Sequence, residues 1–415
     1  MARKDQSSKV GGQRVENNQL LIASLTVYRS PFTVHGLYDF YDFVMNKDSR
    51  IYIAGHTGLV GSALYRKLEA EGYTNLITRI HAELDLERQA DVESFFAKEK
   101  PEYVFLAAAK VGGIWANNTY PAEFIYNNLV IQTNVIHSAW KVGVNRLLFL
   151  GSSCIYPREC PQPMKEEHFL TGPLEATNEP YAVAKIAGVE MCQSYNRQYD
   201  TRFLAVMPTN LYGPNDNFDL ETSHVLAAFI RKFHLAKLAA QGDWQAIKKD
   251  EGLYGPIPED VMASLISITN LHGYAENVST VYRSPLTVHQ PRPAVVLWGS
   301  GLPRREFLHV DDLADGCLFL MNLERGKLNS LLTADRLPLI NIGWGKDISI
   351  EELAILIKKT VGFAGDIIFD TTKPDGTPQK LLDVSRMAKL GWKAKISLKE
   401  GIKRTYGWYL EYSTN

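Results

Sequence analysis

The chain lacks a basic excess: 45 lysines and arginines stand against 46 aspartates and glutamates, for a formal net charge of −1. A nucleic-acid binder needs surplus cations to neutralise phosphates, so the composition argues against that class of partner. No apolar run is long enough to span a bilayer, and the polar stretch from Met1 to Leu20 lacks the apolar core of a secretory signal. Cysteine is scarce. Cys154, Cys160, Cys192 and Cys317 show no zinc-type CxxC spacing, which leaves no metal site to expect and makes a reducing cytoplasm the simplest setting. The 415 residues, 45% hydrophobic and 22% charged, have room for two domains and a sizeable core, as in a soluble enzyme.

Two segments stand apart from the rest. Thr26-Val-Tyr-Arg-Ser-Pro-Phe-Thr-Val-His35 recurs almost letter for letter as Thr280-Val-Tyr-Arg-Ser-Pro-Leu-Thr-Val-His289. Copies this far apart are no solenoid, which needs adjacent repeats at a fixed period. We read them as a repetitive DNA element translated in frame. Residues 1–47 then form an appended or disordered tail, with Met45 as an original start. Residues from about 240 to 293 form an inserted loop. Its front part, Gln241 to Glu259, is charged and expected to be helical in places, and Ala263 to Pro293 reads as a long surface loop.

From Arg50 onward, short apolar runs alternate with amphipathic segments, the pattern of a parallel sheet covered on both faces. Strands are expected at Ile51–Ala54, Leu76–Thr78, Tyr103–Ala107, Arg146–Leu150 and Phe203–Met207. Helices are expected at Leu59–Ala70, Ala90–Lys98, Pro121–Lys141, Tyr181–Tyr199 and Ser223–Leu238. The fold class is α/β, a doubly wound parallel-sheet Rossmann domain.

The first strand runs directly into Gly55-His56-Thr57-Gly58-Leu59-Val60-Gly61, which opens the first helix. Glycines there let the backbone approach a pyrophosphate, and the helix N-terminus offers free N–H groups. After the second strand, Arg79 could meet a 2′-phosphate and Asp85, with Leu86 beside it, an adenine; either charge could equally be solvated surface. Further on, Tyr181 and Lys185 stand four apart on a helix and share a face. An ammonium beside a phenol favours the phenolate. The tyrosine could then exchange protons with a carbonyl or alcohol, while the hydroxyl of Ser152, at a strand end, holds the same oxygen. Together these make a hydride-transfer site.

Longer runs carry a resemblance. Ala107-Ala-Ala-Lys-Val-Gly-Gly113, Asn117-Asn-Thr-Tyr-Pro121, Gly151-Ser-Ser-Cys-Ile-Tyr-Pro157, Thr177-Asn-Glu-Pro-Tyr-Ala-Val-Ala-Lys-Ile-Ala-Gly188, Met207-Pro-Thr-Asn-Leu-Tyr-Gly-Pro214, Arg305-Glu-Phe-Leu-His-Val-Asp-Asp312 and Lys373-Pro-Asp-Gly-Thr-Pro378 resemble the GDP-L-fucose synthase family. That family lies in the extended short-chain dehydrogenase/reductase superfamily. The resemblance covers Arg50 to Tyr412 apart from the segment between about Leu238 and Pro293.

The resemblance implies 3,5-epimerisation of GDP-4-keto-6-deoxy-D-mannose, followed by NADPH-dependent reduction of the C4 ketone. It implies Cys154 as the base and His224 as the acid of epimerisation. Cys154, two residues past Ser152, would point to the same side on an extended segment. The resemblance sets Lys185 on the nicotinamide ribose, with Ala107, Pro208, Asn210, Leu211 and His224 also beside the cofactor. Lys232, Trp298, Arg305 and Lys373, with Arg231 as a further candidate, fall to the GDP moiety. Asn178 either contacts the sugar or caps its helix.

The same resemblance implies an NADP-binding domain over 48–210, with segments near 294–335 returning to it. Residues 211–415 then form mainly a smaller α/β substrate-binding domain. It also implies a homodimer paired through helices of the nucleotide domain. The chain departs from the family where two 2′-phosphate arginines are replaced by Thr57 and His81. The alternatives are another nucleotide-sugar member, a 4-epimerase or 4,6-dehydratase, and a catalytically silent nucleotide-binding regulator. Neither alternative enzyme explains Cys154 with His224, and the intact Tyr181/Lys185 pair argues against a silent regulator.

Overall fold

The structure, a computed structural model, describes residues 45–278, 293–332 and 337–414. Both copies of the recurring segment and nearly all of the expected tail lie outside the described residues. Four consecutive buried residues make β1 (Ile51–Ala54), followed by α1 (Leu59–Ala70), β2 (Leu76–Ile77), α2 (Gln89–Glu99) and β3 (Tyr103–Leu106). The short α3 (Ile114–Thr119) leads into α4 (Pro121–Lys141), β4 (Arg146–Leu150), α5 (Glu179–Tyr199) and β5 (Phe203–Pro208). Then come β6 (Asn210–Tyr212), α6 (Val225–Ala240), α7 (Trp244–Tyr254), α8 (Glu259–Val278), β7 (Ala294–Trp298) and β8 (Arg304–His309). The chain continues through α9 (Val310–Met321), α10 (Arg325–Leu331), β9 (Leu339–Ile342), β10 (Asp347–Ser349) and α11 (Ile350–Val361). It ends with β11 (Asp366–Asp370), β12 (Gln379–Lys380), α12 (Ser385–Leu390) and α13 (Leu398–Thr414).

One six-stranded sheet has the order β2-β1-β3-β4-β5-β9, with each of its pairings parallel. The chain leaves β1 toward β2 and returns to place β3 on the other side of β1. That reversal opens a crevice at the carboxyl ends of β1 and β3, where such sheets bind ligands. Both sheet faces are covered, which is why the strands read as unbroken apolar runs. The expected strands and helices end within about two residues of the observed ones, with one consequential shift. The helix expected from Ser223 starts at Val225, because His224 takes an extended conformation (φ −77°, ψ 158°) at its N-cap.

A second core gathers around α6, α11 and α13, with β7 and β8 against it. The stretch expected as a loop from Ala263 is helical as far as Val278, within α8; residues 279–292 lie outside the described residues. Arg231, a sequence candidate for the GDP moiety, does not face a cleft: it is fully buried. Its Nε donates to Asp250 Oδ1 at 2.8 Å, and its two terminal nitrogens donate to the carbonyls of Phe218, Tyr254 and Gly255. Asp250 Oδ2 accepts from the Tyr409 hydroxyl. One guanidinium therefore ties α6, α7 and the loop before α6 together, with α13 joined through the shared carboxylate. Removing one partner of such a buried pair strands the other charge. Arg231→Leu is expected to lower unfolding free energy by about 3–5 kcal/mol, read as a fall in the urea midpoint; a loss below about 1 kcal/mol, the scale of a surface pair, would mean the network holds nothing.

Candidate active site

Gly55 has φ +83°, and a side chain there would meet the Ala108 backbone at 2.8 Å, so the turn after β1 needs glycine. At Gly61 an added carbon would come within 2.0 Å of the Gly55 carbonyl oxygen, so α1 can pack this close to the turn only without one. The N-terminus of α1 carries no side-chain cap and no acidic residue in its first turn. Buried beside it, His56 Nδ1 has no hydrogen-bond partner. Uncapped N–H groups at the positive end of a helix dipole suit a diphosphate.

A cleft of about 670 Å³ runs from this turn past Thr57, Gly58, Leu59 and Val60. Arg79, Asp85 and Leu86 line it on one side, Ala107 in the middle, and Pro208, Asn210 and Leu211 farther on. Tyr181, Lys185 and His224 close the far end. The Arg79 guanidinium already pairs with Glu99 at 2.6 Å, and Asp85 Oδ1 accepts the Glu87 N–H at 3.0 Å. Both still edge the cleft. His81 lines it too but is largely exposed.

At the end of β4, Ser152 is extended and its Oγ caps a single 3-10 turn, Ser153–Ile155, by accepting the Cys154 N–H at 3.4 Å. The extended segment expected from Ser152 to Cys154 is therefore a tight turn. The Ser152 and Cys154 side chains still line one cavity, together with Tyr181. Lys185 is buried, donates to the Leu150 carbonyl at 2.8 Å and sits 5.8 Å from the centre of the Tyr181 ring.

The expectation of a standing phenolate needs correction. Loss of solvent around Tyr181, reinforced by the neighbouring thiol, pushes its phenol well above the usual range. Burial also pulls Lys185 down to about 8. Desolvation disfavours every charged form, and here it is the largest influence on both groups. Tyr181 is therefore held as a proton donor.

A second cavity of about 620 Å³ adjoins the cleft at Ser152, Tyr181, Asn210, Leu211 and His224. Cys154, Lys232, Trp298 and Arg305 line it. A smaller one of about 290 Å³ carries Lys373 and shares Lys232 and Trp298. The His224 ring faces the two larger cavities from the α6 N-cap. Its surface is open on that side while protein encloses the rest, and that enclosure lowers its pKa. Burial raises the Cys154 thiol, and Ser152, Lys380 and Lys185 pull it partly back. The resting pair is thus thiol and neutral imidazole.

Three residues escaped the sequence reading. Lys380 on β12 pairs in register with Arg305 on β8 and lines the second cavity with Cys154; it stands two positions past Lys373-Pro-Asp-Gly-Thr-Pro378, the only signal for it. Asp216 lines the larger cleft with a buried, unpartnered Oδ2, and burial lifts it to about 7. Glu306 accepts the N–H groups of Gly345 and Leu382. Its backbone carbonyl accepts from the side chains of Thr209 and Asn210, which fixes the strand behind the cleft. Asn178 does not cap α5, and its buried Oδ1 is unpartnered beside the second cavity.

A glycine turn on a parallel sheet, with a Ser-Tyr-Lys group at its far end, defines a dinucleotide-dependent enzyme. The family model described as the NAD dependent epimerase/dehydratase family matches residues 51–249 and 261–331. GDP-L-fucose synthase 1 of Arabidopsis thaliana is 51% identical, over 89% of this chain and 96% of its own. The GDP-L-fucose synthase of Escherichia coli is 48% identical, over 87% of this chain and 97% of its own. A solved GDP-mannoheptose C4 reductase from Campylobacter jejuni with NADP bound has a TM-score of 0.70 at 40% identity, covering 88% of this chain and 99% of that one. The chain belongs to the GDP-L-fucose synthase family, whose cofactor is NADP(H).

Thr57, His81 and Arg79 all line the cleft, and Arg79 is the sequence candidate for a 2′-phosphate. Arg79→Ala is expected to raise the KM for NADPH roughly 10- to 100-fold, the worth of a charge-assisted hydrogen bond, and to leave the KM for NADH unchanged. Equal effects on both cofactors would assign Arg79 to Glu99 alone.

Proposed function

We infer that this chain is a GDP-L-fucose synthase: it epimerises C3 and C5 of GDP-4-keto-6-deoxy-D-mannose and reduces the C4 ketone to give GDP-L-fucose. The observation that carries the reading is the convergence of Ser152, Cys154, Tyr181 and His224 on one cavity that also holds cations for a diphosphate. Protons on carbons beside a ketone are acidic because the charge left behind moves to oxygen. Ser152 and Tyr181 donate hydrogen bonds to that oxygen and stabilise the enolate. Cys154 removes the α-proton in its thiolate form and His224 returns one to the opposite face, at C3 and then at C5. Two groups on opposite sides of the ring invert a centre, where one alone would only restore it.

NADPH supplies the hydride for C4 when it is bound in the larger cleft. Tyr181 then gives its phenolic proton to the carbonyl oxygen, and the Lys185 ammonium and the Ser152 hydroxyl steady the phenolate that results. The same hydroxyl pair serves both stages, because the ketone oxygen stays in place throughout. Arg305 and Lys380 hold the diphosphate. Burial lowers the pKa of both, a mark of cations kept short of water.

The outward faces of α4 and α5 carry exposed Tyr126, Val183 and Tyr199, and this pair of helices forms the homodimer contact. Tyr126→Glu is expected to give a monomer by light scattering; an unchanged mass would move the contact elsewhere. The four cysteines, free and buried, suit a reducing cytoplasm.

The test mixes protein, GDP-4-keto-6-deoxy-D-mannose and NADPH and identifies the sugar nucleotide formed. GDP-L-fucose is expected. Run in D₂O without cofactor, the wild type should place deuterium at C3 and C5, whereas Cys154→Ala should lose exchange by at least about 100-fold, the scale of acid–base catalysis. His224→Gln should exchange without inverting. A reduced, unepimerised product from the wild type would remove both residues from these roles.

A further inference from the structure

The 290 Å³ cavity lies between α6, α8 and β7 and the segment after β11. Its wall holds the Trp298 ring, which is 52% exposed, with the Lys232 ammonium 6.0 Å and the Lys373 ammonium 5.2 Å from the ring centre. Asp260, in the first turn of α8, lines both this cavity and the catalytic one. Among the described residues its carboxylate makes no hydrogen bond and no ion pair within contact distance. The other carboxylate in the wall, Asp370, is occupied, since its Oδ1 accepts from both the N–H and the hydroxyl of Thr372 at 3.0 and 2.6 Å. Lys232 feels the charge of Asp260, which offsets part of the effect of its burial.

A flat ring, a cation and an unpaired carboxylate around one slot match a particular heterocycle. Guanine presents O6 and N7 as acceptors, and beside them the N1–H and the 2-amino group as donors. A cation answers the first and a carboxylate the second. Adenine places an acceptor at N1, which a carboxylate repels. We propose that Asp260 reads the N1–H and 2-amino edge of the guanine base, with Lys232 on O6 and the Trp298 ring against the base. The assignment rests on the GDP-sugar reading above and gives α8, which none of the sequence motifs covers, a part in substrate selection.

The test is calorimetric titration of the full chain with GDP, inosine diphosphate (which lacks the 2-amino group) and NADPH. The wild type should bind GDP more tightly than inosine diphosphate. Asp260→Asn should weaken GDP roughly 10- to 100-fold, the worth of hydrogen bonds to a charged group. Inosine diphosphate should be affected less, so that the preference collapses, while NADPH binding stays as it was. Asp260→Ser, a second variant at this exposed position, should behave in the same way. An unchanged ratio of GDP to inosine diphosphate in both variants overturns the role of Asp260 alone. A wild type that binds NADPH but not GDP overturns the GDP-sugar reading, and this assignment with it.

Discussion

Because β1, β3, β4 and β5 run parallel and side by side, their carboxyl ends open on the same edge of the sheet. Each delivers one part of the cleft there: the glycine turn at Gly55, Ala107, Ser152, and Pro208 with Asn210. The reversal of strand order between β1 and β3 leaves room above that edge, since neighbouring crossovers depart in opposite directions. The close approaches at Gly55 and Gly61 follow from this geometry. So does the uncapped end of α1, whose free N–H groups would be a defect in a helix without a ligand.

Burial governs the chemistry at the far end of the cleft. Tyr181, Cys154, His224 and Lys185 are each pushed toward their uncharged forms by the same loss of solvent. In a low-dielectric site a charge that appears during reaction interacts strongly with the donors around it. A phenol held protonated, with Ser152 and Lys185 around it, suits the proton donor of the proposed reduction. A thiol and an imidazole each held neutral at rest suit the base and acid of the proposed epimerisation.

The substrate side depends on a different constraint. Arg231, beside Lys232 in sequence, is turned inward and spends its donors on Asp250 and three backbone carbonyls. Consecutive helix positions point about 100° apart, so one cation stabilises the fold while its neighbour reaches the cavities. The same network holds α7 against the second core.

The parallel sheet, the glycine turn and the Tyr181/Lys185 pair were legible because each rests on local spacing. Periods of two and 3.6, a turn that needs glycine, and four residues on a helix are properties of adjacent residues. The resemblance added Cys154 and His224 through long matching runs. Protonation states were not legible, since desolvation depends on what the rest of the chain packs around a group. Nor could sequence separate Arg231 from Lys232, find Lys380, which joins Cys154 in one cavity from a strand more than 200 residues away, or see that α8 is a helix with a carboxylate in a cavity wall. The sequence by itself determined the class of fold and named the candidate groups; only tertiary structure decided which cations are buried supports, which line the cavities and which groups are held neutral, because those depend on burial and long-range contact.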